Sequence, residues 1–295
     1  MKILVTGASG QLGSDVVNEL NKRGHDAVGV GSKDMDITDA ECVSRVIHEI
    51  RPDAVIHCAA WTAVDAAEDE ENKEKVRLIN TVGTENIAKV CKELDIKMMY
   101  ISTDYVFDGQ GDTAWEPDCK AYAPLNVYGQ TKLDGELAVS SLLSKYFIVR
   151  IAWVFGVNGN NFIKTMLKIG KTHDKLTVVN DQIGTPTYTF DLARLLADMI
   201  ETDKYGYYHA TNEGRYISWY EFANEIFAEA AALGHSEYDT ANLSVLPVTT
   251  AEYGISKAVR PFNSRLDKHK LTEAGFTPLP DWKDALKRYL HEITF

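Results

Sequence analysis

Tyr128 and Lys132 form a Tyr-x-x-x-Lys pair whose residue types could move a proton. At this spacing both side chains lie on one face of a helix. A phenol with an ordinary pKa of about 10 is a poor acid or base at neutral pH, but a neighbouring ammonium favours the phenolate. We therefore predict that Tyr128 is a general acid–base residue and that Lys132 activates it.

The position of this pair along the chain distinguishes it from a second one. Tyr253 and Lys257 have the same spacing but lie far beyond the predicted strands of the sheet, so we interpret Tyr253 as structural. Tyr128 instead follows a predicted strand that ends at Thr103. Open α/β sheets place their ligands at the carboxyl ends of the strands. We therefore expect Thr103 to donate a hydrogen bond to a substrate carbonyl while Tyr128 delivers the proton.

A glycine loop, Thr6-Gly7-Ala8-Ser9-Gly10-Gln11-Leu12-Gly13, follows the first predicted strand. Glycine permits a tight turn and lets backbone N–H groups approach a pyrophosphate, and the next helix adds a partial positive charge at its N-terminus. A strand before the loop and a helix after it are the context of a dinucleotide-binding motif. We therefore predict that Gly7, Gly10 and Gly13 bind a dinucleotide cofactor.

The end of the second predicted strand bears on which dinucleotide is bound. An NAD-selective site usually carries an acidic residue there, whereas this chain reads Val30-Gly31-Ser32-Lys33. Ser32 and Lys33 could bind the 2′-phosphate of NADP, although Lys33 is equally well explained as a solvated surface charge. We expect NADPH as the cofactor, with NADH as an alternative. Asp36, which precedes Ile37, is expected to bond the adenine amino group.

Short apolar runs alternate with segments of helical length through the first half of the chain. This alternation predicts βαβ units and a parallel sheet covered by helices on both faces. Thr38-Asp39-Ala40-Glu41 is typical of a capping box at the start of the second helix, and Gly24 is typical of a helix end. The predicted strands are 2–6, 27–30, 54–58, 97–101 and 147–151, and the predicted helices are 11–23, 38–50, 72–94 and 125–143.

Beyond residue 152 the alternation becomes less regular, which indicates a second lobe packed on the first. We predict an α/β fold, a Rossmann-type doubly wound parallel sheet with a smaller mixed α/β C-terminal substrate lobe. The dinucleotide-binding domain is expected to comprise residues 1–152 plus about 176–211, and the second lobe residues 153–175 and 212–295.

The composition argues against several classes of function. The chain has 31 Lys+Arg against 43 Asp+Glu, a net charge of −12. Such a field repels nucleic-acid backbones and anionic lipid, so we expect neither nucleic acid nor a membrane as a partner. The four cysteines are widely spaced and form no Cys-x-x-Cys pair, which argues against a disulfide framework or a zinc cage. With no signal-peptide-like start, the protein is expected to be cytoplasmic.

Together these motifs resemble the dTDP-4-dehydrorhamnose reductase family of extended short-chain dehydrogenases/reductases. The resemblance runs almost end to end and includes stretches more specific than the widely shared glycine loop. Those stretches are 62–65 with Glu68, 102–109, 153–156, 159–162, 181–187 and 260–266.

The resemblance implies NAD(P)H-dependent reduction of the C4 ketone of dTDP-4-dehydro-6-deoxy-L-mannose to dTDP-L-rhamnose, with Thr103, Tyr128 and Lys132 as catalytic residues. The implied cofactor site consists of Gly7, Gly10, Gln11, Leu12, Gly13, Asp36, Ile37, Ala59, Ala60, Trp61, Thr62, Asn80, Tyr128 and Lys132. The implied dTDP-sugar site consists of Thr103, Asp104, Trp153, Arg260 and Arg265. The two arginines would neutralise the diphosphate by charge-assisted hydrogen bonds.

The resemblance also bears on a metal, because some members of the family place magnesium between subunits with glutamates. Asp15 occupies the first such position, but Phe190-Asp191 stand near the second, and this departure argues against magnesium here. The sequence is compatible with a homodimer and does not fix the oligomeric state.

Two other functions stay open at this point. One is a nucleotide-sugar 4,6-dehydratase or 4-epimerase of the same superfamily. A dehydratase typically carries Asp-Glu after the threonine, where this chain has Asp104-Tyr105, and this argues against elimination. The other is a non-catalytic NADP-binding protein resembling the regulatory subunit of methionine adenosyltransferase. The intact set of Thr103, Tyr128 and Lys132 favours an enzyme.

Overall fold

A six-stranded parallel sheet forms the centre of the first lobe, in a computed structural model that describes all 295 residues. Its strands are β1 (Lys2–Thr6), β2 (Asp26–Val30), β3 (Ala54–His57), β4 (Lys97–Thr103), β5 (Tyr146–Ile151) and β10 (Gly206–His209). Their order across the sheet is β2-β1-β3-β4-β5-β10, and every neighbouring pair is parallel. β2 lies on one side of β1 and β3 lies on the other, so the order of the strands reverses at β1. The carboxyl ends of β1 and β3 therefore frame a crevice where such sheets bind ligands.

Helices cover both faces of this sheet, as its nearly continuous apolar strands predict. The helices of the first lobe are α1 (Gln11–Lys22), α2 (Ala40–Ile50), α3 (Val64–Ala67), α4 (Glu70–Arg77), α5 (Gly83–Glu93), α6 (Val127–Leu142) and α8 (Thr189–Ile200). One apolar core lies between the sheet and α1 with α8, and a second lies between the opposite face and α2, α5 and α6. The predicted doubly wound α/β fold is confirmed.

Two local predictions in this lobe differ from the structure. The second helix, predicted over 38–50, begins at Ala40, because Asp39 rather than Thr38 caps it and accepts hydrogen bonds from the backbone N–H groups of Glu41 and Cys42. The single helix predicted over 72–94 is divided into α4 and α5 by a π-helical segment, Leu78–Val82. Such wide turns are common at functional sites. Gly24 has a left-handed φ of +82° just beyond α1, as predicted for a helix end.

The second lobe combines short strand pairs with helices around its own apolar core. Its strands include β6 (Val154–Phe155), β7 (Lys175–Val179), β8 (Ile183–Gly184), β9 (Thr187–Tyr188), β11 (Ile217–Ser218) and β12 (Ser244–Val248). Its helices are α7 (Phe162–Gly170), α9 (Trp219–Ala232), α10 (Thr250–Tyr253) and α12 (Trp282–Glu292). The short helix α11 (His269–Glu273) packs on the first lobe instead, where Leu271 joins the core beside α1 and α8. The predicted boundary near residue 176 differs here, because β7 pairs with β12 and not with the central sheet. The chain returns to the central sheet later, through α8 and β10.

None of the helices has both the length and the apolar character needed to cross a membrane.

Candidate active site

A cavity of about 990 Å³ opens at the carboxyl edge of the central sheet and extends to the second lobe. The glycine loop after β1 lines one part of it, and Thr103 at the end of β4 lines another. Trp153, which follows β5, and Trp219 at the start of α9 complete the wall on the side of the second lobe. The cavity is therefore large enough and suitably placed to hold two ligands side by side.

Close packing makes the glycine loop a cradle for a phosphate-containing ligand. Gly7 has a φ of +66°, and a Cβ atom there would lie 2.8 Å from the backbone nitrogen of Ala59. A Cβ atom at Gly13 would lie 2.2 Å from the carbonyl oxygen of Gly7. Both positions therefore require glycine, and the loop ends at the N-terminus of α1, where backbone N–H groups are free to bind an anion. Ser102 supplies a buried hydroxyl on the cavity wall that has no hydrogen-bond partner. These features fit a dinucleotide.

The predicted adenosine end of the site lies beyond β2. Asp36 and Ile37 line the cavity, and Asp36 Oδ1 accepts hydrogen bonds from the N–H and hydroxyl of Thr38 at 2.9 and 2.8 Å. Ser32 also lines the cavity, whereas Lys33 does not. The geometry therefore leaves Lys33 as a surface charge and places a hydroxyl at the strand end.

Close contact between α6 and the turn after β4 positions the three predicted catalytic residues. Asn126 caps α6 by accepting the N–H of Gly129 at 2.8 Å. A Cβ atom at Gly129 would lie 2.4 Å from the carbonyl oxygen of Tyr105, so only glycine lets the helix start so near this turn. As a result Thr103, Tyr128 and Lys132 all line the same cavity, as the sequence analysis requires.

Burial changes the protonation of these groups in a way that differs from expectation. We predicted that Lys132 favours the Tyr128 phenolate, but burial raises the pKa of Tyr128 above its ordinary value, opposed by a hydrogen bond with Thr103. Tyr128 is therefore a neutral phenol at neutral pH. Burial lowers the pKa of Lys132 to about 7, opposed by the carboxylate of Glu136. The Lys132 ammonium donates to the carbonyl oxygen of Ile101 at 2.7 Å.

Asp104 completes this part of the site. Its Oδ1 accepts a hydrogen bond from the Thr103 hydroxyl at 2.9 Å, and the N–H of Tyr105 donates to the same hydroxyl at 3.2 Å. Burial raises the pKa of Asp104 to about 6, opposed by hydrogen bonds from Ser264 and Thr103. At neutral pH this carboxylate is thus mainly ionised and holds the Thr103 hydroxyl in place.

Two predicted cofactor residues, Trp61 and Asn80, do not line the cavity but support its wall. Asn80 is 1% exposed. Its Oδ1 accepts the backbone N–H of Trp61 at 2.8 Å, and its Nδ2 donates to the Thr131 hydroxyl at 3.1 Å. Asn80 therefore ties the loop after β3 to α6, the helix that carries Tyr128 and Lys132. The other predicted cofactor residues line the cavity, namely Gly7, Gly10, Gln11, Leu12, Gly13, Asp36, Ile37, Ala59, Ala60, Thr62, Tyr128 and Lys132.

Four of the five predicted substrate residues line the cavity, and Arg265 does not. Asp104, Trp153 and Arg260 line the cavity with Thr103. Arg260 forms a bidentate pair with Asp65, at 3.1 and 2.7 Å. Arg265 does not line the cavity, and its guanidinium donates to Asn263 Oδ1 at 3.0 Å. The structure therefore brings one of the two predicted arginines to the site.

Sequence reasoning missed the aromatic partner of Trp153. The Trp153 ring stacks on Trp219 with centroids 3.7 Å apart, and Phe162 packs against Trp219 at 4.5 Å. Trp153 also has a φ of +51°, a strained conformation for a bulky residue that the surrounding packing must hold. All three rings line the cavity and form one apolar wall on the side of the second lobe. A strained backbone at this position is typical of a functional site.

A family model described as the RmlD substrate binding domain matches residues 1–295. The chain belongs to this family. It is 40% identical over 302 residues to dTDP-4-dehydrorhamnose reductase from Escherichia coli (strain K12), which covers 99% of this chain and 98% of the relative. It is 39% identical over 291 residues to the spore coat polysaccharide biosynthesis protein SpsK of Bacillus subtilis (strain 168), which covers 99% and 97%.

Two solved structures of relatives resemble this chain over almost its whole length. The dTDP-4-dehydrorhamnose reductase from Bacillus anthracis in complex with NADP has a TM-score of 0.91 and 41% identity, and the match covers 99% of both chains. The dTDP-4-dehydrorhamnose reductase from Clostridium acetobutylicum has a TM-score of 0.91 and 40% identity, again over 99% of both chains. The family resemblance inferred from the motifs is therefore confirmed, along with the doubly wound fold.

The two positions considered for magnesium in this RmlD-family chain, Asp15 and Phe190-Asp191, differ in the ligand atoms that they could provide. The pKa of Asp15 is raised by burial and by the Glu292 carboxylate, an effect that the nearby Thr189 hydroxyl opposes. At the second position Phe190 offers no donor, and the Asp191 carboxylate forms an ion pair with Arg288 at 2.7 Å. A carboxylate already neutralised by a guanidinium is a poor metal ligand, so these residues do not fit the site and we assign no metal to it.

Proposed function

We propose that this protein catalyses the NAD(P)H-dependent reduction of the C4 ketone of dTDP-4-dehydro-6-deoxy-L-mannose to dTDP-L-rhamnose. The observation that carries this proposal is the convergence of a glycine cradle and the trio Thr103, Tyr128 and Lys132 on one cavity. Relatives named dTDP-4-dehydrorhamnose reductase, which match almost the whole chain, support the choice of substrate. A solved relative in complex with NADP supports the choice of cofactor.

Thr103, Tyr128 and Lys132 have separate roles in the proposed reduction. The nicotinamide, when bound, supplies the hydride. Tyr128 gives its phenolic proton to the C4 oxygen, and it holds this proton at neutral pH because burial raises its pKa. The Thr103 hydroxyl turns from Asp104 to the same oxygen and stabilises the charge that develops there. Lys132, anchored on the carbonyl of Ile101, binds the ribose next to the nicotinamide.

The second lobe supplies the sugar-nucleotide side of the site. The stacked rings of Trp153 and Trp219, with Phe162, present an apolar face suited to the methyl-bearing side of a 6-deoxysugar. Arg260 lies on the cavity wall and can bind the diphosphate while it remains paired with Asp65. We propose that the first lobe binds the dinucleotide and the second lobe mainly the sugar nucleotide.

A reductase acting on another 4-keto sugar is the second candidate. A relative from Streptomyces niveus that is 36% identical, with 96% of this chain and 94% of the relative covered, is named dTDP-4-keto-6-deoxy-D-glucose reductase. This relative makes product stereochemistry a necessary measurement. Elimination is disfavoured because Tyr105 stands where a dehydratase typically has glutamate.

The test is to supply purified protein with NADPH and dTDP-4-dehydro-6-deoxy-L-mannose, and in parallel with the 6-deoxy-D-glucose ketone. Loss of nicotinamide absorbance with the first substrate, and a rhamnose product identified by NMR, is the expected result. Oxidation of NADPH only with the D-sugar would support the second candidate. Tight binding of NADP without turnover of either sugar would support a regulatory protein.

We also infer that the enzyme acts in the cytoplasm, where the dinucleotide and the sugar nucleotide are available, and that it acts as a homodimer. Fractionation of cells and light scattering of the purified protein test these two points. A monomer at working concentration would contradict the second.

A further inference from the structure

We propose that Lys75 binds a phosphate group of the dinucleotide in the cavity. This inference rests on the proposed function, because it requires that a dinucleotide binds here. Lys75 belongs to none of the sequence motifs described above. It lies on the cavity wall with Thr62, Leu78 and Ile79, and this position is the reason to consider it as a ligand-binding residue.

The first support is the balance of charge in the cavity. Three cationic side chains line it: Lys75, Lys132 and Arg260. Arg260 already neutralises Asp65 through two contacts, at 3.1 and 2.7 Å. Lys132 is buried against the carbonyl of Ile101, and its pKa is lowered to about 7. Lys75 is thus the one cation on this wall that is both exposed and without an ion pair.

The second support is the arrangement of charges on α4. Lys73 pairs with Glu70 at 2.7 Å, and Arg77 pairs with Glu74 at 2.7 Å. Residues 73 and 77 share a face of the helix, whereas residue 75 points to the opposite side. Lys75 forms no ion pair within 4.0 Å although α4 is rich in glutamate. A lysine that only solvated this helix would be expected to pair like its neighbours.

The third support is the platform on which Lys75 rests. Its ammonium lies 5.5 Å from the centroid of the Trp61 ring, a cation–π contact that restrains the long side chain. The backbone N–H of Trp61 is in turn held by Asn80, and Trp61 follows Ala59 and Ala60 on the cavity wall. The ammonium is therefore held at the cavity, where a compact, strongly hydrated charge suits a phosphate oxygen.

The test compares Lys75→Gln with Lys73→Gln, a matched control on the same helix whose ion pair points away from the cavity. Dissociation constants for NADPH and for NADH are measured by fluorescence titration at several salt concentrations. We expect Lys75→Gln to weaken binding about ten- to a hundredfold, as loss of a charge-assisted contact does. We expect Lys73→Gln to bind like the unmodified protein and Lys75→Arg to recover most of the affinity.

The two dinucleotides distinguish which phosphate is bound. A loss confined to NADPH assigns the 2′-phosphate, because NADH lacks it, whereas an equal loss for both assigns the bridging diphosphate. Equal affinities for Lys75→Gln and Lys73→Gln, or a change only in the KM for the sugar nucleotide, would overturn the inference and leave the proposed function intact. Failure of the unmodified protein to bind either dinucleotide would instead overturn the proposed function, and the inference with it.

Discussion

Replacing Arg150 by methionine is predicted to destabilise the fold strongly, because this guanidinium is buried with every donor in use. Arg150 and Glu136 are both 0% exposed, and two N–H···O contacts of 2.8 and 2.7 Å join them. The remaining donors reach the carbonyl of Pro117 at 3.1 Å, the Tyr122 hydroxyl at 3.1 Å and His209 Nε2 at 3.4 Å. Arg150→Met would leave the Glu136 carboxylate buried without its counter-ion.

The size of the effect follows from this burial. Breaking a buried ion pair by removing one partner costs about 3–5 kcal/mol, since the other charge stays uncompensated. For lobes of this size each kcal/mol lowers the melting temperature by roughly 2–4 °C, so we expect a fall of about 6–20 °C. The surface pair of Arg45 with Glu49, at 3.7 Å and more than half exposed, provides the control. Arg45→Met should change stability by less than about 0.5 kcal/mol.

The assay is urea unfolding followed by circular dichroism, with calorimetry for the melting temperature. The double variant Glu136→Met with Arg150→Met removes both charges, so it should be at least about 2 kcal/mol more stable than Arg150→Met alone. A single variant that loses less than about 1 kcal/mol would refute the reasoning. So would a double variant less stable than either single one, because an uncompensated charge would then not be the cause.

Three further predictions concern the site. Gly13→Ala should weaken NADPH binding at least about tenfold in a fluorescence titration, because its Cβ would meet the Gly7 carbonyl at 2.2 Å. Gly111→Ala strains a backbone with a φ of +78° but meets no atom within 4 Å and lies outside the cavity, so it should leave this affinity unchanged. Trp219→Ala should raise the KM for the sugar nucleotide while the dissociation constant of NADPH stays within about twofold, since this ring belongs to the substrate wall. Affinity for NADPH should fall as the pH rises through the Lys132 pKa of about 7, because the ammonium loses its proton, and Lys132→Met should remove this dependence. Unchanged affinity in Gly13→Ala, equal losses of both ligands in Trp219→Ala, or an unaltered pH profile in Lys132→Met would each contradict the corresponding assignment.

Much of the site could be predicted from local sequence because the central sheet is parallel. The carboxyl ends of parallel strands meet at one edge, so a glycine loop after β1 and Thr103 after β4 must lie near each other. The helical spacing of Tyr128 and Lys132 then places both on the same face of α6. These inferences need only element order and direction, which the alternation of apolar runs supplies.

What the sequence did not reveal depends on contacts between distant segments or on burial. The stacking of Trp153 on Trp219 joins residues that lie far apart in the chain, and no local sequence pattern indicates it. The raised pKa of Tyr128 comes from burial, which a motif does not encode and which acts against the expected effect of Lys132. The cap at Asp39 rather than Thr38 reflects a competition between adjacent side chains that only the backbone geometry decides.

The central claim is that Tyr128 donates the proton in a ketone reduction, and paired tyrosine variants test it most directly. Tyr253 belongs to the second Tyr-x-x-x-Lys sequence, is 38% exposed and does not line the cavity, so Tyr253→Phe is the matched control. With NADPH and dTDP-4-dehydro-6-deoxy-L-mannose, Tyr128→Phe should lower kcat about a hundredfold or more while NADPH affinity is retained. Tyr253→Phe should turn over like the unmodified enzyme. Equal turnover by both variants would contradict the account.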